Sequence, residues 1–383
     1  MKNMKFTVGA KRLLTANGWE KNRVLEIDEG RITRIASGTA ADFSADTVAP
    51  GLIDPHLHGG DGFDVMHPTV EGMEAWLVRL AESGVGTVLA SPYTGPMEVM
   101  RGSLKVIARV MERQKKEGVP GARLLGAHLE GPFISPNRLG AMERRFVLPP
   151  SAEACRQLME GYESIIREMT LAPEVPGAGE VISLLEGMGV RVQAGHCDAT
   201  YEEGEAAFRS GVGSVCHFFN AARPIHHRDP GFLSAALAEP DIYCEMIADL
   251  VHLHPGAVRL IWKCKGPDRV ILISDAVSTT NLPDGEYLDN GQITEVRNGA
   301  SFVKGGGLNG GGTYLPGSVR NLISLGVPDF QALNAASANA ARWLNLESGI
   351  YLGAEANLTG WTSDLVPSFT LAGGHIHRKE GAN

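Results

Sequence analysis

Eight short apolar runs, separated by helix-length segments, occupy the middle of this 383-residue chain. Amphipathic stretches such as residues 151–166 and 178–189 lie between them. Such an alternation indicates parallel strands joined by crossover helices. Eight repeats favour a closed α/β barrel, a (β/α)8 barrel of the TIM type, over an open doubly wound sheet. The runs are GLIDPHLH (51–58), TVLASPYT (87–94), RLLGAHLE (123–130), REMTLAPE (167–174), RVQAGH (191–196), GSVCHFF (213–219), YCEMIAD (243–249) and RVILISD (269–275).

The position of the glycines also disfavours an open sheet that binds a nucleotide. No glycine-rich phosphate loop follows the first of these runs. The segment KGGGLNGGG (304–312) is rich in glycine, but it follows the last run and lacks the G-x-G-x-x-G spacing. We expect it to be a mobile loop.

Both ends of the chain have the pattern of short strands. RVLEIDEGRITRIAS (23–37) contains two alternating runs around Glu29-Gly30, which predicts a hairpin. Neither end has enough apolar faces for a core of its own. We therefore predict that residues 1–50 and 346–383 pair into one small β-sandwich domain. The barrel domain, residues 51–345, would be inserted between them.

The net charge of −9 and the isoelectric point near 5.8 argue against nucleic acid as a partner, because they imply no basic face. A small anionic ligand held by a few local cations remains compatible with this charge. The five cysteines are odd in number and have no C-x-x-C spacing, which argues against a disulfide framework or a zinc finger. No signal-peptide core and no apolar run of about 18 residues is found, so we expect a cytoplasmic protein without a membrane span.

Several of the apolar runs end in a side chain that can bind a metal ion or move a proton. The carboxyl ends of all strands in a barrel open onto one face, so we expect these side chains to converge. Alternation along a strand places the first two on the same side. Imidazole nitrogen and carboxylate oxygen suit zinc, iron and similar divalent ions. The residues are His56, His58, Glu130, His196, His217 and Asp275.

This set predicts a catalytic metal site, because three protein ligands leave one position open. The metal would lower the pKa of its bound water towards about 7 and so supply hydroxide at neutral pH. Asp275, at the end of the eighth run, would take the proton of the water and return it to a leaving group.

Other histidines and cysteines have a structural interpretation. Cys197 and Cys216 each neighbour a candidate ligand, and the period of a strand turns both to the opposite face, where they would pack. His67, His375 and His377 lack such a context and are expected to be structural or surface residues, the last two within the small β domain. A lone histidine near a strand end is usually structural as well, so the metal prediction depends on the whole set.

Five segments then resemble a known family, and they are PGLIDPHLHGGDGFDV, GAHLEGPFIS, AGHCDATYEEGEAAFRSGV, HFFNAARPIHHRDPG and ISDAVSTTNLPDGEY. From about residue 45 to 345 the chain resembles the N-acetylglucosamine-6-phosphate deacetylase family of the amidohydrolase superfamily. Other amidohydrolases commonly use a carbamylated lysine in the bridging place, where this chain has Glu130. The resemblance implies hydrolysis of the acetamide of N-acetylglucosamine 6-phosphate, by metal-bound hydroxide, to glucosamine 6-phosphate and acetate.

The resemblance also implies roles for the candidate ligands. Zinc would be the cofactor, with iron as an alternative, at one or two ions per subunit. Asp275 would be the general base and then the general acid. The ligands would be Glu130, His196 and His217 for the better-attested ion, and His56 and His58, with Glu130 shared, for a second ion.

The substrate side is implied in the same way. His252 matches the family's substrate-binding histidine, and Asn220 and Ala221, through backbone groups, match phosphate-binding positions. Arg228 matches a phosphate-binding arginine that reaches in from the partner subunit in the family, which implies a homodimer. The expected ligand is therefore a small phosphorylated amino sugar, with no nucleic acid and no membrane as partners.

One substrate-binding position departs from the family. The loop after EGPF usually ends in Lys-Gly-Ala-His, whereas RLGAM here places Met142 where the histidine is expected. A thioether donates no hydrogen bond, and one lost donor at an oxyanion costs on the order of a hundredfold in rate. Three explanations stay open. Arg138, Arg144 or Arg145 supplies another donor; the substrate is a different N-acylated amino sugar or amide; or the protein is a catalytically weakened sugar-phosphate binder.

Overall fold

Strands and helices alternate through the middle of the computed structural model, which describes residues 5–289 and 291–379. The strands are β1 (Phe6–Thr15), β2 (Gly18–Asp28), β3 (Arg31–Ser37), β4 (Phe43–Pro50), β5 (Leu52–Leu57), β6 (Gly59–Gly60), β7 (Phe63–Asp64), β8 (Val85–Ala90), β9 (Arg123–Glu130), β10 (Ile166–Leu171), β11 (Arg191–Ala194), β12 (Ser214–Val215), β13 (Tyr243–Ile247), β14 (Val270–Ile273), β15 (Gly285–Asp289), β16 (Gln292–Arg297), β17 (Ala300–Val303), β18 (Leu308–Gly310), β19 (Leu358–Trp361), β20 (Pro367–Ala372) and β21 (His375–His377). The α-helices are α1 (Val70–Glu82), α2 (Met97–Glu117), α3 (Ala152–Met159), α4 (Ala178–Gly187), α5 (Tyr201–Arg209), α6 (Gly231–Ala238), α7 (Pro255–Lys265), α8 (Leu315–Ser324), α9 (Asp329–Ala335) and α10 (Ala338–Trp343).

Eight parallel strands form the central sheet, in the order β5-β8-β9-β10-β11-β12-β13-β14. Each of the eight predicted apolar runs supplies one of these strands. The chain after β14 returns to the chain around β5 through two backbone hydrogen bonds. The N–H of Asp275 donates to the oxygen of His56 at 2.9 Å, and the N–H of His58 donates to the oxygen of Ala276 at 2.7 Å. The predicted (β/α)8 barrel is confirmed.

The barrel strands are buried on both faces, which is why they appear in the sequence as continuous apolar runs. All six residues of β8 are buried, for example. Each fully buried aliphatic side chain contributes about 1.5–3 kcal/mol. Local signals delimit the helices between the strands. Thr200 and Glu203 form a capping box at the start of α5, and Gly118, at φ 67°, ends α2.

A second sheet joins the two ends of the chain, in the order β21-β20-β19-β4-β1-β2-β3. The predicted hairpin is present, because β2 and β3 pair around Glu29 (φ 48°) and Gly30 (φ 75°). His375 and His377 lie on β21 of this sheet, as expected. The arrangement fits the predicted small β-sandwich domain. The division into residues 1–50 with 346–383 and residues 51–345 stays a prediction.

A third sheet, of the antiparallel strands β15 to β18, was not foreseen. The segment 304–312 was expected to be a mobile loop, and this is wrong for its second half, because β18 pairs with β17 there. Its glycines have a packing reason. A Cβ on Gly311 would lie 1.8 Å from the oxygen of Ser274, and one on Gly310 would lie 2.3 Å from Val277. The glycines thus let this strand pass close to the end of the barrel.

Within the described ranges, no helix has both the length and the apolar character that crossing a membrane requires.

A substitution of Phe369, on β20, tests how much the core of the sheet formed by the two chain ends contributes to stability. The Phe369 side chain is 2% exposed, and its ring lies close enough to Gly360 to exclude a Cβ there. We expect Phe369→Ala to destabilise the protein by about 3–5 kcal/mol, because a cavity replaces the ring. Val366→Ala, at a position that is 49% exposed, is the control and should change stability by less than about 0.5 kcal/mol. Urea unfolding followed by circular dichroism measures both, and equal shifts would contradict this account of the core.

Candidate metal centre and active-site cavity

The six predicted metal-centre residues meet at the carboxyl-terminal end of the barrel. The structure places each of them at the end of a barrel strand or within two residues of it. All six are buried, with at most 9% of the residue exposed. In chain order they are His56 on β5, His58 directly after it, Glu130 at the end of β9, His196 after β11, His217 after β12 and Asp275 after β14.

Three of these residues have a left-handed backbone conformation. His196, His217 and Asp275 have φ values of 47°, 23° and 49°, and each lies two residues beyond the end of its strand. A non-glycine residue in this region costs on the order of 1–3 kcal/mol. The turn redirects the chain at the mouth of the barrel, where the three side chains meet the centre. Backbone strain at three strand ends on one face of the barrel indicates a functional site.

Glu130, His196 and His217 form the first donor cluster. Glu130 Oε1 lies 3.1 Å from His196 Nε2 and 2.9 Å from His217 Nε2. The two Nε2 atoms are 3.1 Å apart. Zinc ligands lie about 2.0–2.2 Å from the ion, so that tetrahedral neighbours are roughly 3.3 Å apart. The observed separations are close to that value.

The hydrogen bonds behind the rings determine which nitrogen carries the proton. His196 Nδ1 donates to the backbone oxygen of Arg138 at 2.9 Å, and His58 Nδ1 donates to that of Ser91 at 2.6 Å. A carbonyl oxygen only accepts, so in the neutral rings Nε2 keeps its lone pair. The Nε2 lone pairs of these rings point at one another and at the carboxylate of Glu130. These groups repel one another unless a cation lies among them. The donor set therefore fits a divalent metal ion.

The negative charge of Glu130 also raises the proton affinity of the His217 ring. Burial disfavours the charged form of His217, but the hydrogen bond with Glu130 and the charge of that carboxylate outweigh it. Together they raise the pKa of His217 to about 9. Burial likewise opposes the ionised form of Glu130, but the hydrogen bonds with His196 and His217 hold its pKa well below the usual range.

A second donor cluster lies beside the first. His58 Nε2 is 3.1 Å from Asp275 Oδ1 and 3.3 Å from Glu130 Oε2, and His56 Nε2 is 3.2 Å from His58 Nε2. Burial lowers the pKa of His58, but the hydrogen bond with Asp275 and the charge of Glu130 raise it overall to about 9. Burial of Asp275 is in turn outweighed by His58, which lowers the pKa of this carboxyl. Glu130 thus offers one oxygen to each cluster.

Cys216 does not lie on the face opposite the candidate ligands, where the strand period predicts it. Its Sγ lies 3.5 Å from His56 Nδ1, inside the barrel and beside the donors. The period-2 argument fails because β12 ends before Cys216, and the left-handed conformation of His217 breaks the alternation between these two residues. Cys197, by contrast, lies in the apolar core as predicted.

A cavity of about 720 Å³ opens above the two clusters. His252, Asn220, Ala221 and Met142, all predicted substrate residues, line it. His252 is oriented from behind, because its Nδ1 donates to Asp249 Oδ2 at 2.8 Å. Arg228 is exposed and is not among the lining residues.

The loop that ends in Met142 brings only one of its three arginines to the cavity. Arg145 lines the cavity, although its guanidinium binds Glu143 at 2.9 Å. Arg138 is held by Asp198 at 2.6 Å. Arg144 donates to a backbone oxygen at 2.6 Å. Of the donors proposed to replace the missing histidine, Arg145 is thus the one that faces the cavity.

The sequence analysis missed several other lining residues. Tyr93 lies on the cavity wall, with its ring 5.3 Å from that of His58. His67, expected to be structural or on the surface, also lines the cavity. Gln292 and Asn309 reach it from the third sheet. No strand-end rule would identify these residues, because they come from loops and from a sheet outside the barrel.

Comparison with known proteins gives a consistent result. The model of the amidohydrolase family matches residues 47–376. The chain is 35% identical over 349 residues to the N-acetylgalactosamine-6-phosphate deacetylase of Escherichia coli O157:H7. The matched region covers 90% of this chain and 91% of that protein. It is 33% identical over 378 residues to the N-acetylglucosamine-6-phosphate deacetylase of Vibrio furnissii, covering 96% and 94%. The crystal structure of N-acetyl-D-glucosamine-6-phosphate deacetylase from Mycobacterium smegmatis is similar with a TM-score of 0.89 at 30% identity, covering 97% and 99%.

Glu130→Gln tests whether the first cluster binds a metal ion. The carboxamide replaces the anionic oxygen shared by His196 and His217, so we expect the variant to lose most of the zinc that the wild type retains after gel filtration. Metal content measured by mass spectrometry gives the result. Glu174→Gln is the control, since Glu174 accepts the N–H of Asp198 and lies outside the donor clusters. Retention of zinc by Glu130→Gln at the wild-type level would count against the site.

Proposed function

This chain belongs to the amidohydrolase family and, within it, to the N-acetylglucosamine-6-phosphate deacetylases, and on that premise we propose that it hydrolyses the acetamide of N-acetylglucosamine 6-phosphate. The products are glucosamine 6-phosphate and acetate. The observation that carries the proposal is the shared oxygen of Glu130. It lies about 3 Å from two imidazole nitrogens in the lining of a cavity of sugar size, and Asp275 lines the same cavity, 3.1 Å from His58 Nε2.

Glu130, His196 and His217 would hold one divalent ion, and His56 and His58, with Glu130, a second. Zinc fits the nitrogen and oxygen donors, and iron is the alternative. When bound, such an ion polarises a carbonyl oxygen and makes water more acidic. The remaining tasks fall to side chains of this chain.

Asp275 is the group that moves the proton in this proposal. Its carboxylate accepts a proton from the attacking water, whose oxygen adds to the acetamide carbon. The carbon–nitrogen bond then breaks, and Asp275 returns the proton to the amine nitrogen. The second proton of the water stays on the new carboxyl group and then passes to the amine, so acetate and the protonated amine leave and the atoms and charges balance. Asp275 Oδ1 lies 3.1 Å from His58 Nε2, which places the carboxylate beside the centre for both transfers.

The sugar is positioned by groups farther up the cavity. His252, held through Nδ1 by Asp249, presents its other edge to the sugar. The N–H of Asn220 already donates to the oxygen of His217 at 2.9 Å, so the backbone contact with the phosphate falls to Ala221. The phosphate supplies binding energy remote from the reacting bond, which holds the acetamide in place for attack.

Arg228 acts on the phosphate of a neighbouring subunit in this proposal. It is exposed and lies outside the cavity of its own chain, which supports a role across a homodimer interface. An arginine is well suited to this role, because its guanidinium binds phosphate through two parallel hydrogen bonds.

Acetate release is the direct test of the activity. Zinc-loaded protein is assayed with N-acetylglucosamine 6-phosphate, with its galactosamine epimer and with unphosphorylated N-acetylglucosamine. We expect the highest kcat/KM for the glucosamine phosphate. The epimer is included because the two relatives differ in the sugar that they are named for. Release of acetate from none of the three would contradict the proposal and would leave Met142 as the mark of another substrate.

Asp275→Asn tests the proton transfer. An amide accepts no proton under these conditions, so we expect kcat to fall by roughly 10²–10⁴-fold with little change in KM. Metal content is measured on the same samples, because the fall must occur in protein that still holds its first ion. Asp284→Asn, at an exposed aspartate that binds backbone N–H groups, is the control and should retain full kcat.

A mixed dimer tests the origin of Arg228. Arg228→Ala should raise KM for the phosphorylated sugar, and Asp275→Asn alone is nearly inactive. Co-expression of the two variants makes about half of all dimers mixed, and each mixed dimer has one site with both residues intact. About a quarter of the wild-type kcat/KM is then expected. If Arg228 served its own chain, no mixed site would be complete, and the activity would not exceed that of the separate variants.

A further inference from the structure

A network of buried polar side chains lies beneath the metal centre, inside the barrel. Its members come from five strands, from the residue after β8 and from α10, and every one of them is at most 6% exposed. Polar groups at this depth are costly unless each finds a partner, so their bonds are informative. The members are His56, Ser91, His128, Glu168, Thr170, Gln193, Glu245 and Trp343.

Glu245 connects this network with the centre. Its Oε2 accepts a hydrogen bond from His56 Nδ1 at 3.1 Å, and its Oε1 accepts one from Gln193 Nε2 at 2.8 Å. Gln193 Nε2 also donates to Glu168, which accepts a second bond from the indole of Trp343. Both oxygens of Glu245 therefore have donors, and its side chain is fixed at two points.

The direction of the bonds is determined around Gln193. Both hydrogens of its amide nitrogen face carboxylates, so its oxygen must be the acceptor for Thr170 Oγ1, at 3.2 Å. Thr170 then accepts from His128 Nε2 at 2.8 Å, and His128 Nδ1 accepts from Ser91 Oγ at 3.2 Å. His128 is thus assigned as a neutral ring that donates once and accepts once.

We propose that Glu245 is a positioning residue for the second metal ion, because it holds His56 with the proton on Nδ1 and directs the lone pair of Nε2 into the centre. A ring nitrogen binds a metal only through its lone pair, so the bond behind the ring decides whether His56 is a ligand. The inference rests on the proposed function in one respect, which is that the second cluster holds an ion.

His217 provides an internal comparison. Its Nδ1 has no hydrogen-bond partner among the described residues, whereas Nδ1 of His56, His58 and His196 each has one. Only His56 Nδ1 has side-chain partners, which are Glu245 Oε2 at 3.1 Å and the weaker Cys216 Sγ at 3.5 Å; the others have backbone oxygens. Glu245 is therefore the strong acceptor of this set that can be changed without altering the main chain.

The test compares two matched variants, Glu245→Met and Glu168→Met. Each removes a carboxyl group that is 0% exposed and keeps a side chain of similar length, and each unpairs a donor of Gln193, so both should lower the melting temperature. Only Glu245→Met also removes the acceptor of His56. Apo-protein is titrated with zinc by calorimetry, and retained metal is counted by mass spectrometry.

We expect two ions per wild-type chain, with the second bound about tenfold to a hundredfold more weakly by Glu245→Met and unchanged in Glu168→Met. Unchanged affinity in Glu245→Met would overturn the inference. An equal loss in Glu168→Met would also overturn it, since the effect would then be general damage to the barrel interior. If the wild type binds one ion and still releases acetate, the inference fails while the proposed activity stands.

A measurement on the unaltered protein covers the case in which Glu245→Met does not fold. In apo-protein labelled with ¹⁵N-histidine, the ring nitrogens of His56 are identified by the loss of their signals in His56→Asn. The inference requires a protonated Nδ1 and an unprotonated Nε2. A proton on Nε2 with none on Nδ1 would overturn it, whatever the metal content or the activity.

Discussion

The burial of one carboxylate, Glu130, is the constraint on which the site depends. Its side chain is 3% exposed, and an unpaired charge at that depth is strongly unfavourable. In the barrel, imidazole rings lie against both oxygens of this carboxylate. His196 and His217 lie against one oxygen, and His58 lies against the other. Where a partner exists, these rings donate a hydrogen bond through Nδ1, on the side away from Glu130. Their Nε2 lone pairs, on the side of Glu130, therefore still need a positive charge beside them. A fold that buries an anion among lone pairs in this way is arranged to bind a cation.

The barrel architecture makes this arrangement possible, but the strands alone do not complete it. Parallel strands that end at one face can deliver side chains from distant parts of the chain to within 4 Å of one another. The left-handed turns at His196, His217 and Asp275 then complete the centre at the expense of backbone strain. Below the centre, Gln193 donates to the carboxyl groups of both Glu168 and Glu245. The interior of this barrel is therefore partly polar, and its hydrogen bonds reach the candidate ligand His56 through Glu245.

Much of the fold follows from the sequence, because buried parallel strands have a clear signature and their ends are marked by polar residues. The eight strands were identified in this way, and so were six side chains that the structure brings together at the strand ends. The orientation of Cys216 was predicted wrongly, because alternation applies only inside a strand and β12 ends before it. Glu245 was overlooked although it interrupts an apolar strand, since its meaning depends on His56, which is 189 residues away in the chain. The sheet of β15 to β18 lacks long apolar faces, and its glycines resemble those of a loop.

The charges around the cavity bear on why a second chain would be needed. Among the described lining residues Arg145 is the only arginine or lysine, and its guanidinium is already bound to Glu143. Asp64 and Asp289 add further negative charge to the wall. A phosphate dianion entering such a cavity would meet like charges, and an ion at the barrel mouth offsets them only locally, because solvent screens charges beyond about 8–10 Å. On the proposed function, a cation is needed near the phosphate itself. An exposed arginine on a neighbouring copy, the role proposed for Arg228, would provide it without placing an unpaired positive charge inside the empty cavity of a single chain.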